Sequence, residues 1–454
     1  MKTFLPLNFF ILLIILFTSF DANAQFPGRA LVGYYETWKS DLKLRDIHSS
    51  YNVINMAFAV PTGGSKCNMN FSLPIAYSST AELIKDIDTL HAHHKVVLIS
   101  IGGENGEVVL ENSNDQNIFV SSVQNIFAYY NYKIDGLDID IEGQAVQGDV
   151  HSWTMSNPSD RQKFLIAAIK TIMSNYQTQT GKKMCLTMAP EVAYVQGGLS
   201  DYQVSNINGG WYLPLIQNLK DELDMLNCQL YNVYGNEFAI DGALHDEGTG
   251  NFIVAMTESA INGFTLRGSK GTYNGLPAQK VGFGTVGYNM CASYDYSSAV
   301  DTAEIILAVQ YLRGKISKPA GWGYTCLSPH PKLKGMMVWS VNHDYNENGI
   351  GYCDIGAWVT AESFLAAFPA EEGLTLSNLP SILPLNIFPN PAENNVFINN
   401  STTLVKDVFL YDNEGVFISS FKVNAGMNIF PINNLNSGIY WLKTDVGVQK
   451  MVVR

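Results

Sequence analysis

The stretch Asp135-Gly136-Leu137-Asp138-Ile139-Asp140-Ile141-Glu142 holds the densest set of chemistry-bearing side chains in this sequence. Read as a β-strand, it puts Asp138, Asp140 and Glu142 on one face and Leu137, Ile139 and Ile141 on the other, because successive side chains alternate. Carboxylates about 6–7 Å apart along a strand repel one another, and enclosing their face strips their hydration. The repulsion raises the pKa of at least one of them. A carboxyl still protonated near neutral pH is a general acid, and Glu142, nearest the open end of the strand, is the expected donor. Asp135 has the opposite parity and is expected to be structural. The competing reading is a calcium or magnesium site built from the same acids, which the lack of a second acidic cluster disfavours.

Those acids need a rigid element beneath them and neighbours on both sides. From about residue 30 to 369 the chain alternates short β-branched runs with longer amphipathic ones. The short runs are ALVGYY, NVINMAFAV, KVVLISIGG, IDGLDIDIE, KKMCLTMAPE, LNCQLYNVYG, KVGFGTVGY and GMMVWSVN. Helical patterns such as TAELIKDIDTLHAH, NIFVSSVQNIFAYY, DRQKFLIAAIKTIMSNYQ and DTAEIILAVQYLRG lie between them. Strands alternating with helices predict βαβ units and a parallel sheet, and eight repeats predict an α/β fold of the closed (β/α)8 TIM-barrel type. An open doubly wound sheet is the alternative, but no Gly-rich fingerprint follows the first run. In a barrel the chemistry belongs at the carboxyl ends of the strands, where each run ends in polar or aromatic residues.

The octapeptide resembles the Asp-x-x-Asp-x-Asp-x-Glu signature of glycoside hydrolase family 18, the chitinase family. Ser100-Ile101-Gly102-Gly103, Met188-Ala189-Pro190-Glu191, Gln229-Leu230-Tyr231-Asn232 and Trp339-Ser340 fall on successive predicted strands where that family has its other motifs. The Thr187-Met188-Ala189-Pro190-Glu191 wording is most similar to the bacterial D-type members. The resemblance implies that Glu142 protonates the leaving oxygen and later activates water. It implies that Asp140 orients the substrate acetamido N–H, and that Asp138 shares a proton with Asp140. Tyr231 would donate to the acetamido oxygen, and Trp339 would form the floor under the sugar. Gln229, Asn232, Met188 and Glu191 would line the pocket. Tyr35, with Tyr34 and Trp38, is a candidate sugar contact or core residue, and Trp211 is a candidate cover for the cleft. No cofactor or metal is expected. His91, His93 and His94 end a predicted helix, where cationic side chains suit the helix C-terminus without any metal.

The remaining sequence sets where such a protein works. Residues 1–24 combine Lys2, an apolar run from Phe9 to Phe17 and a closing Ala22-Asn23-Ala24, the pattern of a secretory signal peptide. Six cysteines include no Cys-x-x-Cys pair. Cys185 and Cys228 sit in apolar runs and are expected to be buried, while Cys67, Cys291 and Cys353 are the candidates for any bridge. Residues 370–383 read as a linker. Residues 384–454 show short alternating strands of a small all-β sandwich. That segment resembles the type A sorting domain of the type IX secretion system, through Phe388-Pro389-Asn390-Pro391, Gly438-Ile439-Tyr440-Trp441-Leu442-Lys443 and the closing Gln449-Lys450-Met451-Val452-Val453-Arg454. A net charge of -13 without Lys/Arg runs disfavours nucleic acid as a partner. The expected partners are chitin or chitooligosaccharides and the type IX machinery, the expected state is a monomer, and the expected location is extracellular or the cell surface. An endo-β-N-acetylglucosaminidase and a lectin-like chitin binder remain alternative functions. The short segment between Tyr288 and Gly335 leaves little room for an extra α+β domain, so an open groove with internal cleavage is expected.

Overall fold

A computed structural model describes residues 26–233, 235–287, 299–345, 358–368, 385–388, 391–392, 394–400, 406–412, 417–424, 426–444 and 447–454. The expected signal peptide, the expected linker, Cys291 and Cys353 lie outside these residues. Two compact units divide between Ala367 and Phe368.

Eight parallel strands form the first unit: β1 (Ala30–Glu36), β2 (Val53–Pro61), β3 (Val96–Gly102), β4 (Gly136–Asp140), β5 (Cys185–Met188), β6 (Met225–Gln229), β7 (Val281–Val286) and β8 (Gly335–Trp339). They pair in chain order, and β8 returns to β1 with Ala30 opposite Gly335, so the sheet closes as a barrel. Every strand is covered on both faces, which is why each reads as a nearly continuous apolar run. Alternation decides what fills the interior. Ala30, Val32 and Tyr34 of β1, Val53 and Ala57 of β2, Val96 and Leu98 of β3, Cys185, Met225 and Met337 form one internal cluster.

Helices wrap the outside, among them α1 (Thr80–Ala92), α2 (Ser113–Tyr129), a short α3 (Gly143–Gln147), α4 (Asp160–Thr180), α5 (Gly250–Asn262) and α6 (Thr302–Leu312). Their ends follow from local sequence. Ser159 and Gln162 make a reciprocal capping box at the start of α4, and the helix stops at Gly181, whose φ of 72° is left-handed. At the end of α1, His91 Nε2 lies 2.8 Å from Asp135 Oδ2, and the same oxygen accepts the Val97 N–H at 2.8 Å. That pair pins the helix to the base of β3 and β4, a structural task for Asp135. Cys67, Cys185 and Cys228 are buried and unbridged. No described helix is long and apolar enough to cross a membrane.

The second unit is a pair of antiparallel sheets. Residues 385–388, 395–400 and 426–431 form one, and residues 406–411, 417–423, 438–444 and 447–453 form the other. Val396 and Ile398 from the first meet Val408, Leu410, Val423, Leu442, Met451 and Val453 from the second in a single core. Strict alternation on each strand supplies those inward residues, as a two-layer sandwich requires.

Candidate active site

The acidic row begins deep in the barrel. Strand register sets Ser100 of β3 and Thr187 of β5 on either side of Asp138. Ser100 Oγ donates to Asp138 Oδ2 at 2.7 Å and Thr187 Oγ1 to Oδ1 at 2.6 Å. Tyr34, reaching in from β1, donates to Oδ2 as well. Asp138 is fully buried. Burial raises its pKa, while the three hydroxyl donors oppose that rise by stabilising the anion. The sequence alone does not give any of the three donors this task. The available signal was parity: Ser100 and Thr187 are polar residues at inward positions of otherwise apolar strands.

Asp140 lies one step higher. Gln229, the last residue of β6, places Nε2 at 2.8 Å from Asp140 Oδ1, 2.8 Å from Glu142 Oε1 and 2.9 Å from the Ala189 carbonyl oxygen. An amide NH2 has two hydrogens for these three acceptors. With one committed to the backbone carbonyl, the two carboxyls share the other, and they also hydrogen-bond each other. β4 ends at Asp140, but Glu142 keeps an extended backbone at φ −124° and ψ 172°, so its side chain stays on the same face. The chain then turns at Gly143, where φ is 49°.

Burial is the first cause of every pKa shift in this row. The Asp140 carboxyl is held well above the usual range by burial, then by the neighbouring charges of Glu142 and Asp138. Glu142 is pushed up to about 7 by burial and then by Glu191. Repulsion within the row, the cause expected from sequence, is thus the smaller effect. Glu191 follows β5, accepts the Gly143 N–H at 3.2 Å, and is itself raised by burial. Glu191→Gln removes one negative charge beside Glu142 and lowers the Glu142 pKa. The alkaline limb of a kcat/KM profile, which reports loss of the acidic proton, is then expected to move to lower pH. An unmoved limb would show that burial alone sets the Glu142 pKa.

Tyr231 is buried beside the row. Burial and the charges of Asp140, Glu142 and Asp138 push its phenol well above 10, so it remains a donor. Asn232 follows with a φ of 56°, a left-handed value that Asn tolerates better than most residues. Trp339 ends β8 and packs 5.5 Å from Tyr34 and 5.8 Å from Phe58, stacked on the latter. Phe58 also stacks on Trp38, which is 46% exposed, so the three rings make an aromatic wall. Phe58 was not legible as a site residue. A register shift between Ala57 and Ala59 brings it against the interior cluster, and Gly103 leaves room for its ring.

Three expected contacts lie elsewhere. Tyr35 has the parity opposite to Tyr34, is fully buried, and donates to the Leu42 carbonyl at 2.7 Å, so it packs on the helix side of β1. Met188 is fully buried and alternates with the inward Thr187, which turns it away from the acids. Trp211 is only 2% exposed, and its Nε1 donates to Asp149 Oδ2 at 2.9 Å, so it anchors a loop instead of covering the cleft. Among the described residues there is no cluster of three or more His, Cys, Asp or Glu able to hold a metal ion.

A closed parallel barrel with an acidic row climbing one strand to its mouth, beside an aromatic wall, is the architecture of a carbohydrate-processing (β/α)8 protein. The chain belongs to the glycosyl hydrolases family 18, whose sequence profile matches residues 30–298. Residues 386–454 match the secretion system C-terminal sorting domain. Chitinase Chi52 of Paenibacillus xylanexedens is 32% identical over 70% of this chain, and Chitinase D of Niallia circulans is 33% identical over 70%. The matched part spans 59% of the length of each of these relatives. The crystal structure of a family GH18 chitinase from Chromobacterium violaceum superposes with a TM-score of 0.63 at 28% identity, covering 75% of this chain and 83% of that one.

Proposed function

We propose that this protein is an exported chitinase that hydrolyses β-1,4-N-acetylglucosamine linkages with retention, using the substrate's own 2-acetamido group as nucleophile. The observation that carries the proposal is the closeness of Asp140 and Glu142, two carboxyls that share one amide donor and hydrogen-bond each other. A two-carboxylate retaining glycosidase needs its carboxyls about 5–5.5 Å apart across the scissile bond, and an inverting one needs more. Neighbours on one strand reach a sugar from one side only. The attack must then come from within the sugar, where the acetamido oxygen adds to the anomeric carbon and gives an oxazolinium ion.

Each residue's part follows. Glu142, protonated near neutral pH, gives its proton to the leaving oxygen and afterwards takes one from the incoming water. Asp140 accepts the acetamido N–H and balances the positive charge of the ion. Asp138, held by three hydroxyls, keeps the shared proton on the Asp140 side. Tyr231 donates to the acetamido oxygen and aligns it. Trp339 supplies an apolar floor for the pyranose C–H face, and Trp38 extends that surface outward. Gln229, Glu191 and Asn232 line the surrounding pocket, with no cofactor involved.

The domain order proposed is a signal peptide 1–24, the catalytic barrel 25–369, a linker 370–383 and the sorting domain 384–454, which passes the enzyme to the type IX machinery. The enzyme would act as a monomer outside the cell or on its surface. Between β7 and β8 the described residues hold α6 and a loop but no added α+β domain, which supports an open groove and internal cleavage. Digestion of chitin hexamer, followed by product length and anomer, tests this. Initial β-anomers and mixed lengths are expected. Initial α-anomers would overturn the mechanism, and strict disaccharide release would overturn the open groove. Glucans without nitrogen at C2 should not be cut, and release from glycoproteins exceeding that from chitin would reassign the substrate.

A further inference from the structure

Neighbouring parallel strands bond at alternate residues, and the rungs between β4 and β5 fall on odd-numbered residues of both. Cys185 donates its N–H to the Asp135 carbonyl at 2.9 Å, and Ala189 donates to the Ile139 carbonyl at 3.0 Å. Ile139 is level with Met188, so the next rung of the series would run from the Ile141 N–H to the Ala189 carbonyl. That rung is replaced. The Ala189 carbonyl accepts Gln229 Nε2 at 2.9 Å, and the Ile141 N–H goes to the phenol oxygen of Tyr212 at 2.6 Å. Two side chains thus stand where one backbone bond would be, at the residue between Asp140 and Glu142.

The exchange serves the acids. Released from the rung, the Ala189 carbonyl holds one hydrogen of the Gln229 amide while Asp140 and Glu142 share the other. The Ile141 N–H is released too, and Ile141 is buried. A buried donor without an acceptor forfeits its hydration without return, so this N–H needs the phenol. Tyr212 is placed for a fixed contact. It is fully buried, its own N–H donates to the Tyr194 carbonyl at 3.0 Å, and its ring meets Trp211 edge-on with centroids 5.6 Å apart. The Trp211 carbonyl in turn accepts Gln162 Nε2 at 2.8 Å, which ties the pair to the start of α4. The phenol hydrogen has the Ile139 carbonyl within 3.4 Å. Burial and then the charge of Asp140 push the phenol well above 10, so its oxygen stays a neutral acceptor.

We infer that Tyr212 is a positioning residue for the catalytic acid: by taking the Ile141 N–H out of the β4–β5 ladder, it fixes the chain between Asp140 and Glu142 and leaves the Ala189 carbonyl to orient the Gln229 amide. The inference deepens the chitinase reading and rests on it for its kinetic consequence. Tyr212→Phe keeps the ring and removes the oxygen. The Ile141 N–H is then expected to close on the Ala189 carbonyl, drawing Glu142 and the Gln229 amide from their places.

The test has a kinetic and a structural arm. On chitin hexamer, Tyr212→Phe is expected to lower kcat by about ten- to a hundredfold, the scale of an ångström-sized misplacement of catalytic groups, with KM held within about twofold. Its loss should be less than additive with that of Gln229→Leu, because both act through the same amide, and full additivity overturns the link. Tyr176→Phe is the control. It removes another buried phenol, at the opposite end of the same strand, where it donates to the Ile134 carbonyl at 3.0 Å. That variant is expected to lower the melting temperature and leave kcat unchanged, and the same behaviour from Tyr212→Phe overturns the positioning role. If Tyr212→Phe does not fold, a crystal structure of the wild-type chain decides. The Ile141 N–H should lie on the phenol oxygen and the Ala189 carbonyl on Gln229, whereas a direct bond from Ile141 to Ala189 overturns the inference. A wild-type chain inactive on chitin hexamer would sink the chitinase reading and leave the exchange to be judged by that structure alone.

Discussion

Glu142→Gln is expected to abolish turnover of chitooligosaccharides, by about three orders of magnitude or more, while binding persists. The amide keeps the shape of the side chain and its place in the row but has no proton to give to the leaving oxygen. Glu142 is pushed up to about 7 by burial, so the wild-type enzyme holds that proton across acid and neutral pH and loses it above. Its kcat/KM should therefore fall as pH rises past about 7. Rates on a chitin hexamer together with calorimetric binding check both halves. Retained turnover would show that the donor is another group, and lost binding would show that the substitution had disturbed the pocket.

Asp140→Asn should cost about two to three orders of magnitude in kcat, in the range measured when one group that stabilises developing charge is removed. The asparagine keeps the volume, yet cannot hold the shared proton and cannot balance the oxazolinium charge. It also converts an acceptor of the Gln229 hydrogen bond at 2.8 Å into a group with its own donors. The effect should be smaller than that at Glu142, because the leaving oxygen still receives its proton. A loss confined to KM would mean that Asp140 binds the ground state only.

The two substitutions probe a row that was legible in advance because strand alternation is a two-residue rule. Asp138, Asp140 and Glu142 declared a common face, and the eight β-branched runs declared a barrel to carry it. Helices with an apolar stripe were legible for the same reason. α5 was not: it is buried along nearly its whole length from Phe252 to Ala260, so it has no polar face to give a period. The cradle around Asp138 required register, which pairs Ser100 and Thr187 with Asp138 across three strands and leaves no trace along any one of them. Phe58 depended on an irregularity in β2, and Trp211 on a partner, Asp149, far from it in the chain. Tyr35 failed for a simpler reason. Adjacent aromatic residues on a strand face opposite ways, and only Tyr34 points in.

The hydroxyls that hold Asp138 come from β1, β3 and β5, and β1 meets its last neighbour only when β8 pairs with it. No fragment lacking the first strand contains the full hydroxyl set. Strands β1 to β5 thus carry the hydroxyls, but they stand together with the Trp339 floor only once β8 joins β1. Recovery of turnover after denaturation would accordingly report the joining of the two ends of the sheet, later than any signal from helix content.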